Sequence, residues 1–250
     1  MEETLSSVSH VVQSGMHGMH GVTGLPWWAT FCASTFVVKL GLFPLIRSQL
    51  LANVKLQRAM PELNLLFQLL KNRLHPLKFY DVSKQLRLYT TFFKGVNACL
   101  TVHSASITAV IAYPLINLGF FFMFVYSLRD MVKGDMRQTL QTGGIFWFTD
   151  LSQRDLTYIL PVSAISLSYI AIEASLGRGP QTRLLIVFKD FLQTVVIFSL
   201  PMVSYLPSGI FMYWLPSSMF QIAQSFLIRY PPFLKLLKVP IPQKPPTKIM

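Results

Sequence analysis

Five long apolar stretches alternate with polar segments along the chain. Each stretch has about twenty residues, and an α-helix of that length rises roughly 30 Å, which is the thickness of the hydrocarbon core of a bilayer. Most of the charged residues lie in the polar segments between them. The pattern therefore predicts five membrane-spanning helices, at residues 27–46, 105–128, 158–176, 184–205 and 209–229.

Composition supports a membrane protein. Hydrophobic residues make up 52% of the chain, charged residues only 13%, and the formal net charge is +12. A soluble domain carries about a quarter charged residues. The fold class predicted is an all-α polytopic membrane protein. Because the basic residues are unevenly distributed between the polar segments, the net charge indicates topology, and no DNA partner is expected.

The longest polar segment, residues 47–104, contains nine basic residues and two acidic ones. Two runs with rough helical periodicity are separated at His75-Pro76. The segment predicts a basic helical hairpin outside the membrane, between the first and second spans. A solvated loop without helices is the alternative.

The other polar segments complete the topology. Residues 1–26 form an acidic lead, and residues 129–157 a loop with four basic and four acidic side chains. Residues 177–183 form a basic turn, and residues 230–250 a basic tail without acids. Lys and Arg concentrate on the inner side of membranes. The charges therefore predict an outer N-terminus and an inner C-terminus.

Two charged residues inside the predicted spans mark a candidate site. Lys39 lies in the first span and Glu173 at a similar depth in the third. A charge at that depth costs about 2.5–3.5 kcal/mol on insertion scales, so it faces either water or a partner. A hydrated, functional Lys39 is the favoured interpretation. The alternatives are a Lys39–Glu173 ion pair and pairing of Glu173 with Lys189 at the start of the fourth span.

Polar side chains in otherwise apolar spans predict that the five helices surround a hydrophilic groove. The candidate lining is Thr35, Lys39, Asn117, Ser166, Glu173, Gln193, Ser218 and Gln221. Alternatively, each uncharged side chain only bonds across helices, which contributes about 0.6 kcal/mol.

Neither a cofactor nor a metal site is predicted. Cys32 and Cys99 are too far apart for a Cys-x-x-Cys motif. The MHGMHG sequence at residues 16–21 could bind copper, but an interfacial amphipathic segment is the favoured interpretation. No enzyme is predicted, because there is no phosphate-binding GxxxxGK[ST] motif and His103 has no GxSxG serine to activate.

Five motifs in order resemble the YidC/Oxa/Alb membrane insertase family. They are TGLPWW (23–28), KLGLFPL (39–45), MPEL (60–63), GGIFWFTDLSQRDLTYILP (143–161) and PSGIFMYWLPSSMF (207–220). The third-span Glu173 and the RYPPFLKLLKVP sequence after the fifth span are similar to the mitochondrial branch that assembles cytochrome c oxidase. Three positions depart from the family pattern. This chain has Lys39 where the family usually has arginine, Asn117 in place of a glutamine and Gly119 in place of a proline.

The resemblance implies an insertase of the mitochondrial inner membrane, with its N-terminus in the intermembrane space and its C-terminus in the matrix. The implied client is the C-terminal domain of cytochrome c oxidase subunit 2, and the implied partners are oxidase assembly factors and membrane lipids. No ribosome contact is expected, because the basic tail is short. A copper-handling assembly factor and a small-solute transporter are the alternatives, although the sequence has no inverted repeat.

Overall fold

A computed structural model describes residues 2–74, 81–134, 136–176, 183–227 and 230–236. Within these ranges the chain forms α-helices and no β-strand, which confirms the predicted all-helical fold. The helices are α1 (Glu2–Thr23), α2 (Trp27–Gly41), α3 (Phe43–Leu74), α4 (Val82–Val102), α5 (Ile107–Lys133), α6 (Arg137–Gln141), α7 (Ile159–Leu176), α8 (Arg183–Phe198), α9 (Leu200–Val203), α10 (Ser208–Leu227) and α11 (Pro231–Leu236).

Three predicted features lie wholly or mostly outside the described residues. They are the break at His75-Pro76, the basic turn at 177–183 and the tail beyond residue 236.

The first predicted span is interrupted in the structure. α2 ends at Gly41 and α3 begins at Phe43, so the helical stretch from Trp27 is shorter than the predicted 27–46. Pro44 explains the interruption, because proline has no N–H to bond the carbonyl of Leu40 one turn earlier. By length and composition, α5 and α7 are each able to cross a membrane, and α2 with α3 adds a third span if the pair is one broken helix.

The lead at residues 1–26 is more ordered than the sequence indicated. α1 occupies Glu2–Thr23 despite glycines at 15, 18 and 21, and an added Cβ at any of these glycines would meet nothing within 4 Å. The amide of Gln13 donates to Asp130 Oδ2 at 2.8 Å, and Met16 is buried in the core. Contacts with α5 thus hold a helix that propensity alone does not favour.

The chain divides into two compact units. The first comprises Met1–Phe43 and Leu115–Tyr230, and the second Pro44–Pro114 and Pro231–Met250.

α10 lies at the centre of the first unit and contacts both α2 and α7. Its residues Ile210 and Phe211 are fully buried, together with Phe31 and Leu128. At Gly209 an added Cβ would lie 3.1 Å from the Leu128 side chain, so this glycine permits close approach of α5.

Paired contacts give the helix directions in the first unit. α10 runs parallel to α2 and to α7, since the contact positions rise together in both helices, whereas α5 runs antiparallel to α2. The pairs are Cys32–Met212 and Lys39–Phe220 for α2 with α10, Ser168–Ser218 and Ser175–Ser225 for α7 with α10, and Phe31–Phe124 and Lys39–Asn117 for α2 with α5.

The second unit contains the contact between α3 and α4. Phe67 and Phe92 meet edge to face with ring centroids 4.9 Å apart, and Leu66 lies 3.4 Å from the Cβ position of Gly95. Further along, the thiol of Cys99 lies 3.8 Å from the Ala59 carbonyl. In these contacts the residue number decreases along α4 as it increases along α3, so the two helices are antiparallel.

Candidate functional site

A buried lysine is the main feature of the first unit. Lys39 lies near the end of α2 and is 1% exposed. Its Nζ donates a hydrogen bond to Oδ1 of Asn117 on α5 and lies 5.9 Å from the ring centroid of Phe220 on α10. Among the described residues, no acidic side chain forms an ion pair with Lys39. The cation is therefore held by a neutral amide and an aromatic ring.

The buried face of α2 also contains a threonine near Lys39. Thr35, one turn earlier, is also fully buried, and its hydroxyl donates to the Phe31 carbonyl of its own helix at 3.0 Å. That bond occupies the Phe31 carbonyl within α2. Thr35 thus shares the buried face with Lys39.

Glu173 has partners on α8. Its Oε2 accepts a hydrogen bond from Lys189 Nζ at 2.9 Å and from Gln193 Nε2 at 3.0 Å. The Lys189 side chain is 15% exposed and the Glu173 side chain 42%. Of the two pairings considered for Glu173, the structure contains the one with Lys189.

The two serines predicted to line the groove differ in exposure: Ser218 is buried and Ser166 is not. Ser218 on α10 is buried and lies 3.4 Å from the Ser168 hydroxyl, which also accepts a hydrogen bond from Trp214 Nε1 at 2.9 Å. Ser166, which the sequence predicted to line the groove, is exposed. Gln221 is partly buried, and its backbone carbonyl accepts a bond from Ser225.

Sequence reasoning missed Ser168 and its contact with Ser218. One signal could have found it: serines seven residues apart occur on both helices, at 168 and 175 and at 218 and 225. A seven-residue repeat of small polar residues is typical of closely packed helices in membranes.

The candidate residues therefore form three groups. Lys39, Asn117 and Phe220 join α2, α5 and α10. Glu173 of α7 forms an ion pair with Lys189 of α8 and accepts a hydrogen bond from Gln193 of the same helix. The serine contacts join α7 to α10. Only the first group has a charge without a charged partner, so it is the group that could attract an anion.

The MHGMHG segment has packing contacts. Met16 is 3% exposed, and the ring of His20 stacks on Trp27 with centroids 4.2 Å apart. The His20 Nδ1 atom also lies 2.6 Å from the Leu25 carbonyl.

A different set of residues has metal-ligand geometry, in the second unit. Glu62, Cys99 and His103 form the one Cys/His/carboxylate group in the described part of the chain whose ligand atoms lie within 4.8 Å of one another. Hydrogen bonds from His103 and Cys99 lower the pKa of Glu62, and burial together with the Glu62 contact raises the pKa of the Cys99 thiol.

Comparison with known proteins identifies the family of this chain. Residues 18–233 match the family model described as the 60Kd inner membrane protein. The chain belongs to this family. The matched range includes Lys39, Asn117 and Phe220, so the complete lysine group lies within the 60Kd inner membrane protein region.

Several relatives cover nearly the whole chain. The mitochondrial inner membrane protein OXA1L of Bos taurus is 28% identical over 237 residues, which are 92% of this chain and 50% of the relative. The cytochrome c oxidase assembly protein COX18 of Homo sapiens is 26% identical over 255 residues, which are 94% of this chain and 74% of the relative. A mitochondrial inner membrane protein OXA1-like of Arabidopsis thaliana is 26% identical and is covered over 52% of its length. The chain thus spans about half the length of the OXA1-type relatives.

Proposed function

We propose that this protein is a membrane insertase that moves hydrophilic segments of client proteins across the mitochondrial inner membrane. The observation that carries the proposal is Lys39, a buried cation in an apolar helix bundle whose hydrogen-bond acceptor is the neutral amide of Asn117. A purely structural lysine would gain more from a carboxylate at this position.

An acidic client segment would supply the missing negative charge. Its carboxylate would replace the Asn117 carbonyl as the partner of Lys39, which lowers the cost of holding both charges away from bulk water. The apolar parts of the client would then leave into the lipid, which they prefer to a polar site. This cycle of attraction and release requires no nucleotide.

The proposed topology has five spans, formed by α2, α5, α7, α8 with α9, and α10. The directions of the packed helices support it, because α2, α7 and α10 are parallel and α5 is antiparallel to α2, as alternate crossings require. The N-terminus would lie in the intermembrane space and the C-terminus in the matrix. The basic α3 and α4 would lie in the matrix.

We infer that the client is the C-terminal domain of cytochrome c oxidase subunit 2. The name of the human relative, an oxidase assembly protein, supports a client from this complex. Oxidase assembly factors and membrane lipids would be the partners.

Substitution of Lys39 tests the proposal. In mitochondria that lack the native protein, we would express Lys39→Met, Lys39→Glu and Lys39→Arg and measure protease accessibility of the subunit 2 C-terminal domain from the intermembrane space. Lys84→Met is the matched control, since the Lys84 side chain is 67% exposed. Loss of export in the Met and Glu variants, with export retained in Arg and in the control, is expected. Normal export by stably inserted Met and Glu variants would contradict the proposal.

A further inference from the structure

Three side chains converge on one point of the second unit: Glu62 on α3, Cys99 on α4, and His103 directly after α4. Glu62 Oε2 accepts a bond from the Cys99 thiol at 3.3 Å, and Glu62 Oε1 lies 3.0 Å from His103 Nε2. Glu62 of α3 thus contacts Cys99 of α4 and the residue at the C-terminal end of that helix. Neither the proposed insertase mechanism nor the helix packing requires this combination of thiol, imidazole and carboxylate.

We propose that Glu62, Cys99 and His103 bind a divalent zinc ion that links α3 to α4. The inference is independent of the function proposed for Lys39, because the two groups share no residue and lie in different units.

The geometry of the three groups suits zinc. Zinc bonds of about 2.0–2.3 Å in a tetrahedron separate neighbouring ligand atoms by roughly 3.3–3.6 Å. Cys99 Sγ lies 3.3 Å from Glu62 Oε2 and His103 Nε2 lies 3.0 Å from Glu62 Oε1, close to that range although the two contacts use different oxygens of the carboxylate. One ligand atom from each of the three residues lies within 4.8 Å of the other two. Small side-chain rotations would therefore admit the ion. The fourth tetrahedral position would be taken by water.

Backbone structure fixes two of the three ligands. Cys99 and His103 are one helical turn apart, and the His103 N–H donates to the Cys99 carbonyl at 3.2 Å, so both side chains project from one side of α4. Glu62 reaches them because α3 is antiparallel to α4. The site would thus form only when the two helices are in their native register.

Exposure differs between the ligands in a way that suits metal entry. Cys99 is 7% exposed, whereas the His103 side chain is 23% exposed and the Glu62 side chain 58%. A hydrated ion would meet the carboxylate first and lose water as the imidazole and thiolate bind. The thiol proton would pass to solvent when the metal–sulfur bond forms.

The ligand set distinguishes Zn²⁺ from Mg²⁺, Ca²⁺ and Cu⁺. A thiolate disfavours Mg²⁺ and Ca²⁺, which take oxygen ligands, and a carboxylate disfavours Cu⁺, which prefers sulfur. Zn²⁺ accepts sulfur, nitrogen and oxygen together.

Metal titration of the full chain tests this site. The protein would be purified in detergent through a tag without histidine, stripped with a chelator, and titrated with Zn²⁺ and, as a spectroscopic probe, Co²⁺. We expect about one metal per chain and a thiolate-to-Co²⁺ charge-transfer band that Cys99→Ser abolishes. His103→Gln should weaken affinity at least tenfold, by analogy with the loss of one metal-anchoring group. Cys32→Ser is the matched control and should retain the band.

Thermal unfolding gives a second readout. At the same free Zn²⁺ concentration, Zn²⁺ should raise the Tm of the wild-type protein and of Cys32→Ser by more than the Tm of His103→Gln, because the weaker affinity of His103→Gln gives less stabilisation. If Cys99→Ser does not fold, His103→Gln decides the question by its affinity and its Tm. No stoichiometric binding, a band that persists in Cys99→Ser, or equal affinity in His103→Gln would overturn the proposal and leave the three residues as a hydrogen-bonded contact.

Discussion

Replacing Lys39 with methionine should stabilise the protein while it removes client export. Methionine keeps the length of the side chain and deletes the charge. Lys39 is buried without a carboxylate partner in the described chain, so the folded state loses its hydration with little compensation.

The magnitude follows from the contacts of Lys39. Burial of the charge at membrane depth costs about 2.5–3.5 kcal/mol. The bond to Asn117 offsets about 0.6 kcal/mol, and the Phe220 ring about 0.5–1 kcal/mol. The difference is a gain of about 1–2 kcal/mol for Lys39→Met, which corresponds to a rise in Tm of about 5 °C for a chain of this size. Residues that a protein needs for activity often lower its stability.

The assay is thermal unfolding in detergent, with Lys189→Met as the comparison. Lys189 donates a hydrogen bond to Glu173 at 2.9 Å, and Lys189→Met removes this charge-assisted bond, so the substitution should lower the Tm. The two lysine substitutions should thus shift the Tm in opposite directions. A fall in Tm for Lys39→Met comparable to that for Lys189→Met would refute the view that Lys39 is an uncompensated charge.

Two further predictions concern the segment before α7. Asp155 caps that helix by accepting from the Leu160 N–H at 2.8 Å, and Asp155→Ala should cost about 1–2 kcal/mol in thermal unfolding. Burial opposes ionisation of Asp155, but the hydrogen bonds to its carboxylate outweigh burial and lower its pKa. The stabilisation by Asp155 should therefore be complete above the pKa of the unfolded state and be lost as the pH falls through the pKa of the folded state. A stability difference between wild type and Asp155→Ala that does not change with pH would contradict this. Gly144→Ala should prevent stable folding, since the new Cβ would lie 1.8 Å from the Phe148 carbonyl, whereas Gly119→Ala, with nothing within 4 Å, should leave the Tm equal or higher. Equal Tm values for the two alanine variants would show that the close approach at Gly144 is not rigid.

Lys39 and Asn117 of the lysine group could be found from sequence, but Phe220 and the contacts among the three residues could not. Lys39 and Asn117 each stand out as polar in an apolar stretch, yet they are 78 residues apart, and their meeting depends on the register between α2 and α5. For Glu173, depth allowed either Lys39 or Lys189, and only the packing of α8 on α7 selects Lys189.

Helix faces were predictable only where the sequence is amphipathic. α7 has no distinct polar face, so no periodicity shows which serine faces α10, and Ser166 was chosen where Ser168 makes the contact. The Glu62, Cys99 and His103 cluster was missed for another reason. Cys99 and His103 have a helical spacing, but the third ligand lies 37 residues before Cys99, on a separate helix.

Different contacts on α10 suggest which part of the first unit can exchange partners. Its contact with α7 uses serines, whose small side chains let helices approach closely and bond to each other, and such contacts favour a fixed arrangement. On the side facing α2 and α5, Asn117 is the hydrogen-bond acceptor of Lys39 among the described residues, and an incoming carboxylate would replace that bond. Client binding at Lys39 would therefore leave the α7–α10 contact intact, so the bundle could release one segment and accept the next without unfolding.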